Sequence, residues 1–82
     1  MNWIIYMVEC ADGTLYTGIT KNIKRRMIAH KQGKGAKYTK GRGPLKVVYS
    51  EEQPTRSLAL KREAEIKSFD RSEKLKLVNE AR

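Results

Sequence analysis

Alternating hydrophobic and polar residues predict three strands. The runs Trp3–Cys10 and Thr14–Thr20 are rich in β-branched and aromatic residues, and the turn between them contains Asp12-Gly13, which is typical of a hairpin. A third run, Leu45–Ser50, is predicted to be a strand that places on one face Leu45, Val47 and Tyr49. The chain therefore begins with a hairpin and adds another strand after an intervening segment.

The length of the hairpin loop decides which side chains share a face. A two-residue loop would place Tyr6 and Tyr16 on opposite faces of the sheet. A three-residue loop, Ala11–Gly13 with Gly13 left-handed, would place both tyrosines on the same face. The strand pattern by itself leaves both registers open.

A helix is predicted after the hairpin. Thr20 or Asn22 can cap its first turn, and the helix is expected to continue to about Gln32. The stripe that faces inward consists of Ile23, Met27 and His30. Arg26 lies four residues before His30 and therefore borders the inward face. The next segment, Gly33–Pro44, has neither a helical nor a strand period and is predicted to be a loop.

A second helix is predicted to start near Pro54–Ser57 and to end near Ser68. Its apolar stripe consists of Ala59, Leu60 and Ile66. Glu63 falls inside this stripe, whereas Glu65 lies on the solvent face beside Lys61. Because an unpaired buried carboxylate is costly, Glu63 is the glutamate that requires a cation or a metal as partner.

A capping box formed by Asp70 and Glu73 predicts a short third helix that carries Leu75 and Val78. The predicted order of elements is β-β-α-β-α-α, an α/β (α+β) arrangement in a single domain that covers residues 1–82. The side chains assigned to the core or to packing are Trp3, Met7, Cys10, Met27, Tyr49 and Phe69.

Positive charge is concentrated in one part of the chain. Lys and Arg number 18 against 9 Asp and Glu, which gives a formal net charge of +9. The segment Gly13–Ser50 has no acidic residue and contains ten basic ones. One interpretation is a solvated basic surface that keeps a small protein soluble. However, such a surface usually mixes both signs, so the segment favours a polyanionic partner such as nucleic acid.

Composition excludes several classes of protein. One cysteine, Cys10, and one histidine exclude an intramolecular disulfide framework and a Cys/His zinc cluster. The longest N-terminal apolar run, Trp3–Val8, is too short for a signal peptide or a membrane span. We therefore expect a cytoplasmic protein with no membrane partner.

Four motifs follow one another along the chain. They are Ile4-Ile5-Tyr6, Tyr16-Thr17-Gly18, Lys24-Arg25-Arg26 with His30, and the glutamate of Ala59-Leu60-Lys61-Arg62-Glu63. In this order they resemble the motifs of the GIY-YIG nuclease superfamily. Within the superfamily, the chain looks like the small bacterial proteins of the UPF0213 type, through Leu15–Thr20, Gly33–Thr39 and Arg56–Leu60. The resemblance covers almost every predicted element, so agreement by chance is improbable.

The resemblance implies a fold and a site. The fold is a small, three-stranded, mainly antiparallel sheet flanked by about three helices, and it supports the three-residue hairpin loop. The implied catalytic residues are Tyr6, Tyr16, Arg26, His30 and Glu63. Glu63 matches the glutamate that binds one divalent metal, Mg²⁺ or alternatively Mn²⁺. In two places the chain departs from the motifs, with Ile4 for glycine and Thr17 for isoleucine, and both changes affect packing more than chemistry.

The resemblance further implies Mg²⁺-dependent hydrolysis of DNA phosphodiester bonds. Tyr6 would accept the proton of the attacking water, and we expect Arg26 and the metal to favour its phenolate. Arg26 would also bind the phosphate oxygens. The basic residues expected to bind the nucleic acid are Lys24, Arg25, Lys34, Lys37, Lys40 and Arg42.

Two other functions are alternatives to the nuclease. The first is a DNA- or RNA-binding module on the same fold with little or no turnover, which the charge would equally support. The second is a small structural protein on ribosomal RNA, which leaves Glu63 in the apolar stripe unexplained. For the nuclease, a chain of 82 residues has little room for a separate targeting domain. We therefore expect low sequence specificity, or guidance by DNA structure or by a protein partner.

Overall fold

Three strands and three helices follow one another in the predicted order. The computed structural model describes residues 2–32 and 44–80, so almost all of the predicted loop Gly33–Pro44 lies outside the described residues. The elements are β1 (Trp3–Glu9), β2 (Leu15–Thr20), α1 (Ile23–Lys31), β3 (Lys46–Gln53), α2 (Arg56–Lys67) and α3 (Arg71–Glu80). Within the described part of the chain, no helix has the length and apolarity needed to cross a membrane.

The sheet is antiparallel, in the order β2-β1-β3, and its hairpin has the three-residue loop. Cys10 N–H donates to the Thr14 carbonyl over 2.8 Å, and Gly13 N–H donates to the Cys10 carbonyl over 2.9 Å. Gly13 has a φ of 83°, in the left-handed region that glycine adopts without strain. As a result, Tyr6 lies opposite Gly18, and Tyr16 lies opposite Val8.

β3 carries a bulge where it passes β1. Tyr49 pairs with Met7 and Val47 pairs with Val8, which leaves Val48 as the extra residue. The bulge brings both Val48 and Tyr49 against the core, while Val47 is 38% exposed. The prediction that Leu45, Val47 and Tyr49 share one face is therefore wrong, because an extra residue reverses the alternation of side chains.

The core lies between one face of the sheet and the helices α2 and α3. Its buried side chains are Ile5, Met7, Ala59, Ile66 and Val78. Trp3, Tyr49 and Phe69 pack against them as predicted. The prediction for Leu60 is wrong, since it is 38% exposed. Ala59 and Ile66 centre the buried face of α2, and Leu60 is turned away by one residue, which is about 100° on a helix.

The predicted caps position the helices. Asn22, rather than Thr20, caps α1, since its side-chain oxygen accepts from Arg25 N–H over 3.0 Å. Thr55 caps α2 in the same way. At α3, Glu73 N–H donates to Asp70 over 2.8 Å, and Asp70 N–H donates to Glu73 over 3.2 Å. The capping box is thereby confirmed.

Candidate active site

Tyr6 and Tyr16 lie on the face of the sheet that is turned away from α2 and α3. Ile5 and Met7 point into the core, so their neighbours in β1 point to the other face. Tyr16 joins Tyr6 there because β2 pairs with β1 in the three-residue register. Tyr6 is fully buried.

The ring of Tyr6 occupies the space above Gly18. A Cβ built on Gly18 would lie 2.7 Å from Tyr6 Oη and 2.8 Å from Tyr6 Cζ. It would also lie 3.1 Å from Tyr16 Cε2. The absence of a side chain at position 18 therefore allows both tyrosines to approach the strand.

The helix α1 brings His30 to the two tyrosines. The ring centroid of His30 lies 5.9 Å from that of Tyr6 and 5.8 Å from that of Tyr16, both in edge-to-face geometry. The two tyrosine centroids are 6.4 Å apart. His30 Nε2 is 2.8 Å from Tyr6 Oη, within a buried hydrogen bond. These three rings form one packed cluster.

Arg26, one turn before His30 on α1, contacts the same phenol. Its Nε–H donates to Tyr6 Oη over 3.3 Å. The hydrogen bond with Tyr6 raises the pKa of Arg26, and the neighbouring Tyr16 acts in the same direction. Arg26 thus remains a cation at the edge of the cluster.

Opposing effects set the pKa of Tyr6. Burial raises it, the hydrogen bond and charge of Arg26 lower it, and the charges of Tyr16 and Glu63 raise it further. The net effect is a pKa above the ordinary value for tyrosine. The expected influence of Arg26 is present, but in the protein without a metal burial outweighs it, so Tyr6 is a neutral phenol at neutral pH.

His30 is set up to accept a proton. Burial lowers its pKa, and the positive charge of Arg26 lowers it further, so the ring is neutral at neutral pH. Because Arg26 already donates to Tyr6 Oη, the Tyr6 O–H is available to donate to His30 Nε2. This arrangement requires the tautomer with its proton on Nδ1.

Glu63 extends from α2 and is half-buried, as its place in the apolar stripe predicts. Its side chain is 17% exposed, compared with 57% for Glu65. Its partner on α2 is Lys67, at 3.6 Å. The effect of its charge on the pKa of Tyr6 places Glu63 within electrostatic reach of the ring cluster.

The surroundings of Glu63 fit a hard cation that keeps most of its water. In residues 2–32 and 44–80, there is no group of three or more His, Cys, Asp and Glu side chains that could hold a metal ion. A single carboxylate is a poor ligand set for Zn²⁺, but Mg²⁺ commonly binds through one or two carboxylates, several waters and substrate phosphates. The residues present therefore fit Mg²⁺ or Mn²⁺ bound through Glu63.

The predicted site residues fall into three groups. Tyr6, Tyr16, Arg26 and His30 are in contact, and Glu63 is coupled to them electrostatically. Lys24 and Arg25 are exposed on α1. The remaining predicted nucleic-acid contacts lie outside the described residues, namely Lys34, Lys37, Lys40 and Arg42.

Two residues beside this site were missed from the sequence. Lys21 and Asn22 line a cleft together with Arg25 and Arg26. The signal was present, since Lys21 opens the basic run of the acid-free segment. Lys21 directly precedes a capping residue, at the same end of the helix as Arg25. This position predicts that Lys21 lies near Arg26.

The fold and this cluster define a class of protein. The chain matches the GIY-YIG catalytic domain over residues 2–76 and therefore belongs to the GIY-YIG family. The family resemblance carried by the motifs is confirmed.

The chain is similar to several UPF0213 proteins and to two solved structures. The chain is 58% identical to a UPF0213 protein of Staphylococcus saprophyticus, over 93% of each chain. It is 54% identical to one of Staphylococcus epidermidis, again over 93% of each. A UPF0213 protein of Bacillus halodurans, solved by solution NMR, matches with a TM-score of 0.62 and 44% identity, over 96% of this chain and 84% of that one. A protein of E. faecalis matches with a TM-score of 0.64 and 37% identity, over 90% and 79%.

Proposed function

We propose that this protein is a divalent-metal-dependent endonuclease that hydrolyses DNA phosphodiester bonds. The observation that carries the proposal is the pair of hydrogen bonds at Tyr6 Oη, with Arg26 on one side and neutral His30 on the other. The buried phenol accepts a hydrogen bond from a cation and faces a neutral base, so it has a partner for each direction of proton transfer. It is suited to moving a proton beside a bound anion.

The proton path begins at the attacking water. As the water oxygen bonds to phosphorus, the P–O bond to the leaving oxygen breaks, and the leaving oxygen takes a proton from solvent. The proton of the attacking water passes to Tyr6 Oη, and the proton of Tyr6 passes to His30 Nε2. The raised pKa of Tyr6 and the lowered pKa of His30 suit this relay, since it starts from a phenol and a neutral imidazole. In this path Tyr6 does not first become a phenolate, which is an alternative to the phenolate expected when both Arg26 and a metal act on it.

Arg26 stabilises the charge that develops on the phosphate. Its Nε–H is directed at Tyr6, and the terminal guanidinium nitrogens provide further donors for non-bridging oxygens. Tyr16 borders the same space and orients water or phosphate. Glu63 is the residue that would hold Mg²⁺ or Mn²⁺, and the bound ion would supply Lewis-acid stabilisation of the phosphate and of the leaving oxygen.

The partner proposed is DNA, bound through the basic surface around α1. The net charge of +9 and the acid-free segment Gly13–Ser50 support a polyanion. Specificity would come from DNA structure or from a protein partner rather than from base sequence. A binding module without turnover is the alternative, and it makes the same prediction for affinity but a different one for cleavage.

The test is a cleavage panel with supercoiled plasmid, flap, fork and branched DNA, in Mg²⁺ and in Mn²⁺. We expect metal-dependent cleavage by the wild type and a loss of at least about a hundredfold in Tyr6→Phe and Glu63→Gln. Glu65→Gln is the matched control, because it makes the same change on the exposed face of α2. Binding to these DNAs with no cleavage in either metal would reject the nuclease and leave the binding module.

A further inference from the structure

Beside the ring cluster lies a cleft of about 310 Å³. Its lining residues are Thr20, Lys21, Asn22, Arg25, Arg26 and Ala29. Three of the six are cations, and none is acidic. Arg26 belongs both to this cleft and to the ring cluster, so its guanidinium connects the cleft to the Tyr6 hydroxyl.

Two of the three cations of the cleft have no carboxylate partner in the part of the chain that the structure describes. Within residues 2–32 and 44–80, no carboxylate forms a salt bridge with Lys21 or Arg25. Three carboxylates of α2 and β3 instead pair with other cations, in the pairs Arg62–Glu51, Arg62–Glu65 and Lys67–Glu63. Unpaired cations around one concave space repel each other and attract an anion.

The positive surface continues beyond the cleft. Lys21 Nζ lies 5.1 Å from the centroid of the Trp3 ring, and the guanidinium carbon of Arg56 lies 5.8 Å from the same centroid. Both are cation–π distances. A continuous track therefore runs from Arg26 through the cleft and Lys21 to Trp3 and Arg56.

We infer that the cleft of Lys21, Asn22, Arg25 and Arg26 binds a backbone phosphate next to the one that is cleaved. Trp3 and Arg56 then lie along the path of the following phosphate. That the bound phosphate is adjacent to a cleaved one rests on the proposed nuclease function, but the binding of phosphate in the cleft does not. Asn22 Oδ1 is already used by the helix cap, so its amide N–H₂ remains as a further donor.

The test measures binding separately from cleavage. A fluorescein-labelled DNA oligonucleotide, single-stranded and annealed to its complement, is titrated by anisotropy in EDTA, where no metal-dependent cleavage occurs. The variant is Lys21→Gln with Arg25→Gln. The control is Lys61→Gln with Lys76→Gln, which removes the same charge from exposed positions on α2 and α3. Urea unfolding establishes that both variants are folded.

We expect the cleft variant to bind roughly tenfold more weakly, and the slope of log affinity against log salt to fall by about 2, because two fewer phosphates are neutralised. In the control variant, the slope of log affinity against log salt should stay closer to that of the wild type than it does in the cleft variant. Because Trp3 is the single tryptophan, its emission should also change when DNA binds. Arg56→Gln should then reduce affinity by a smaller factor.

The results of these measurements distinguish the phosphate site in the cleft, its extension to Trp3 and the nuclease function. Equal loss of affinity in both double variants, or no loss in either, overturns the proposal that the cleft binds a backbone phosphate. Trp3 emission that is unchanged at saturating DNA overturns the extension of the track to Trp3 and Arg56. Binding that depends on Lys21 and Arg25, in a wild type that cleaves no DNA with Mg²⁺ or Mn²⁺, supports the cleft and rejects the nuclease.

Discussion

Tyr6 and Gly18 face each other across the hairpin, and the Tyr6 hydroxyl lies where a side chain on Gly18 would begin. The oxygen is 2.7 Å from the position of a Cβ at residue 18, a distance that real Cβ contacts essentially never show. Any larger residue there must move the phenol that contacts Arg26 and His30. Glycine at position 18 is therefore needed for the position of the Tyr6 hydroxyl and not for a turn of the chain.

Replacing Gly18 by alanine should impair cleavage as well as stability. The methyl group displaces the Tyr6 ring, which we expect to cost about 1–3 kcal/mol of unfolding free energy. A shift of the hydroxyl by about 1 Å should reduce the rate about a hundredfold. Urea unfolding and single-turnover cleavage measure the two effects.

Gly13→Ala is the control for this prediction. Gly13 has a positive φ of 83° and open space around it, so alanine costs about 1 kcal/mol in backbone strain without touching the site. We expect it to lose stability but to cleave at the wild-type rate. An equal loss of rate in both variants would show that Gly18→Ala acts through stability alone.

His30 should make both activity and stability sensitive to mild acid. Its pKa is lowered by burial and by Arg26, so the folded protein resists a proton that the unfolded chain accepts below about pH 6.5. The stability that neutral His30 provides is complete above that pH, and it is lost as the pH falls through the lowered pKa. Cleavage should decline over the same range, because a protonated His30 cannot accept the proton of Tyr6.

The measurement compares urea unfolding near pH 7.5 and near pH 5 for the wild type and His30→Gln. The wild type should lose more stability between the two pH values than the variant does. The same loss in both proteins would assign the acid sensitivity to other groups.

Glu51 on β3 should contribute measurably to stability. Its carboxylate accepts hydrogen bonds from Tyr49 Oη over 2.6 Å, from Arg62 Nε over 2.9 Å and from Gln53 Nε2 over 3.1 Å. Burial alone would raise its pKa, but these hydrogen bonds outweigh burial, and the net pKa is lowered. We expect Glu51→Gln to cost about 1–3 kcal/mol in urea unfolding.

Glu65→Gln tests whether that cost comes from the buried contacts. Glu65 also pairs with Arg62, but its side chain is 57% exposed. Its loss should therefore change stability by less than about 1 kcal/mol. Equal costs for the two substitutions would contradict the importance of the Tyr49–Glu51–Arg62 contacts.

Thr17→Val should stabilise the protein by about 1 kcal/mol. Thr17 is 3% exposed, and its Oγ1 is buried with no hydrogen-bond partner among the described residues. Valine has nearly the same shape and removes the unpaired hydroxyl. Thr20→Val is the contrast, because Thr20 Oγ1 donates to the Asn22 carbonyl and accepts from Asn22 N–H, both over 3.2 Å. Only the second substitution should lower the urea midpoint.

Local features of the fold could be predicted from the sequence. The cap at Asn22 and the box of Asp70 and Glu73 depend on residues three positions apart. The contrast between Glu63 and Glu65 follows from helical spacing alone. In each case the interacting groups lie within one turn, so the pattern contains the whole cause.

The features that were mispredicted depend on contacts across the fold. The bulge in β3 arises where it pairs with β1, about forty positions earlier in the chain, and no alternation within Leu45–Ser50 indicates it. The net pKa of Tyr6 without a metal likewise could not be derived from residue types, because it depends on how deeply the assembled fold buries the phenol. Residue types indicated the presence of Arg26 near Tyr6, but they could not tell whether burial or charge would prevail.

The length of the hairpin loop decides whether the two tyrosines lie on the same face of the sheet. Side chains alternate along a strand, so an odd number of loop residues places Tyr6 and Tyr16 on one face, and an even number separates them. The loop Ala11–Gly13 acts on the site through the register that it imposes on the two strands. If the loop took in one residue more or fewer of this same sequence, the two tyrosines would lie on opposite faces of the sheet, although every functional group would still be present in the chain.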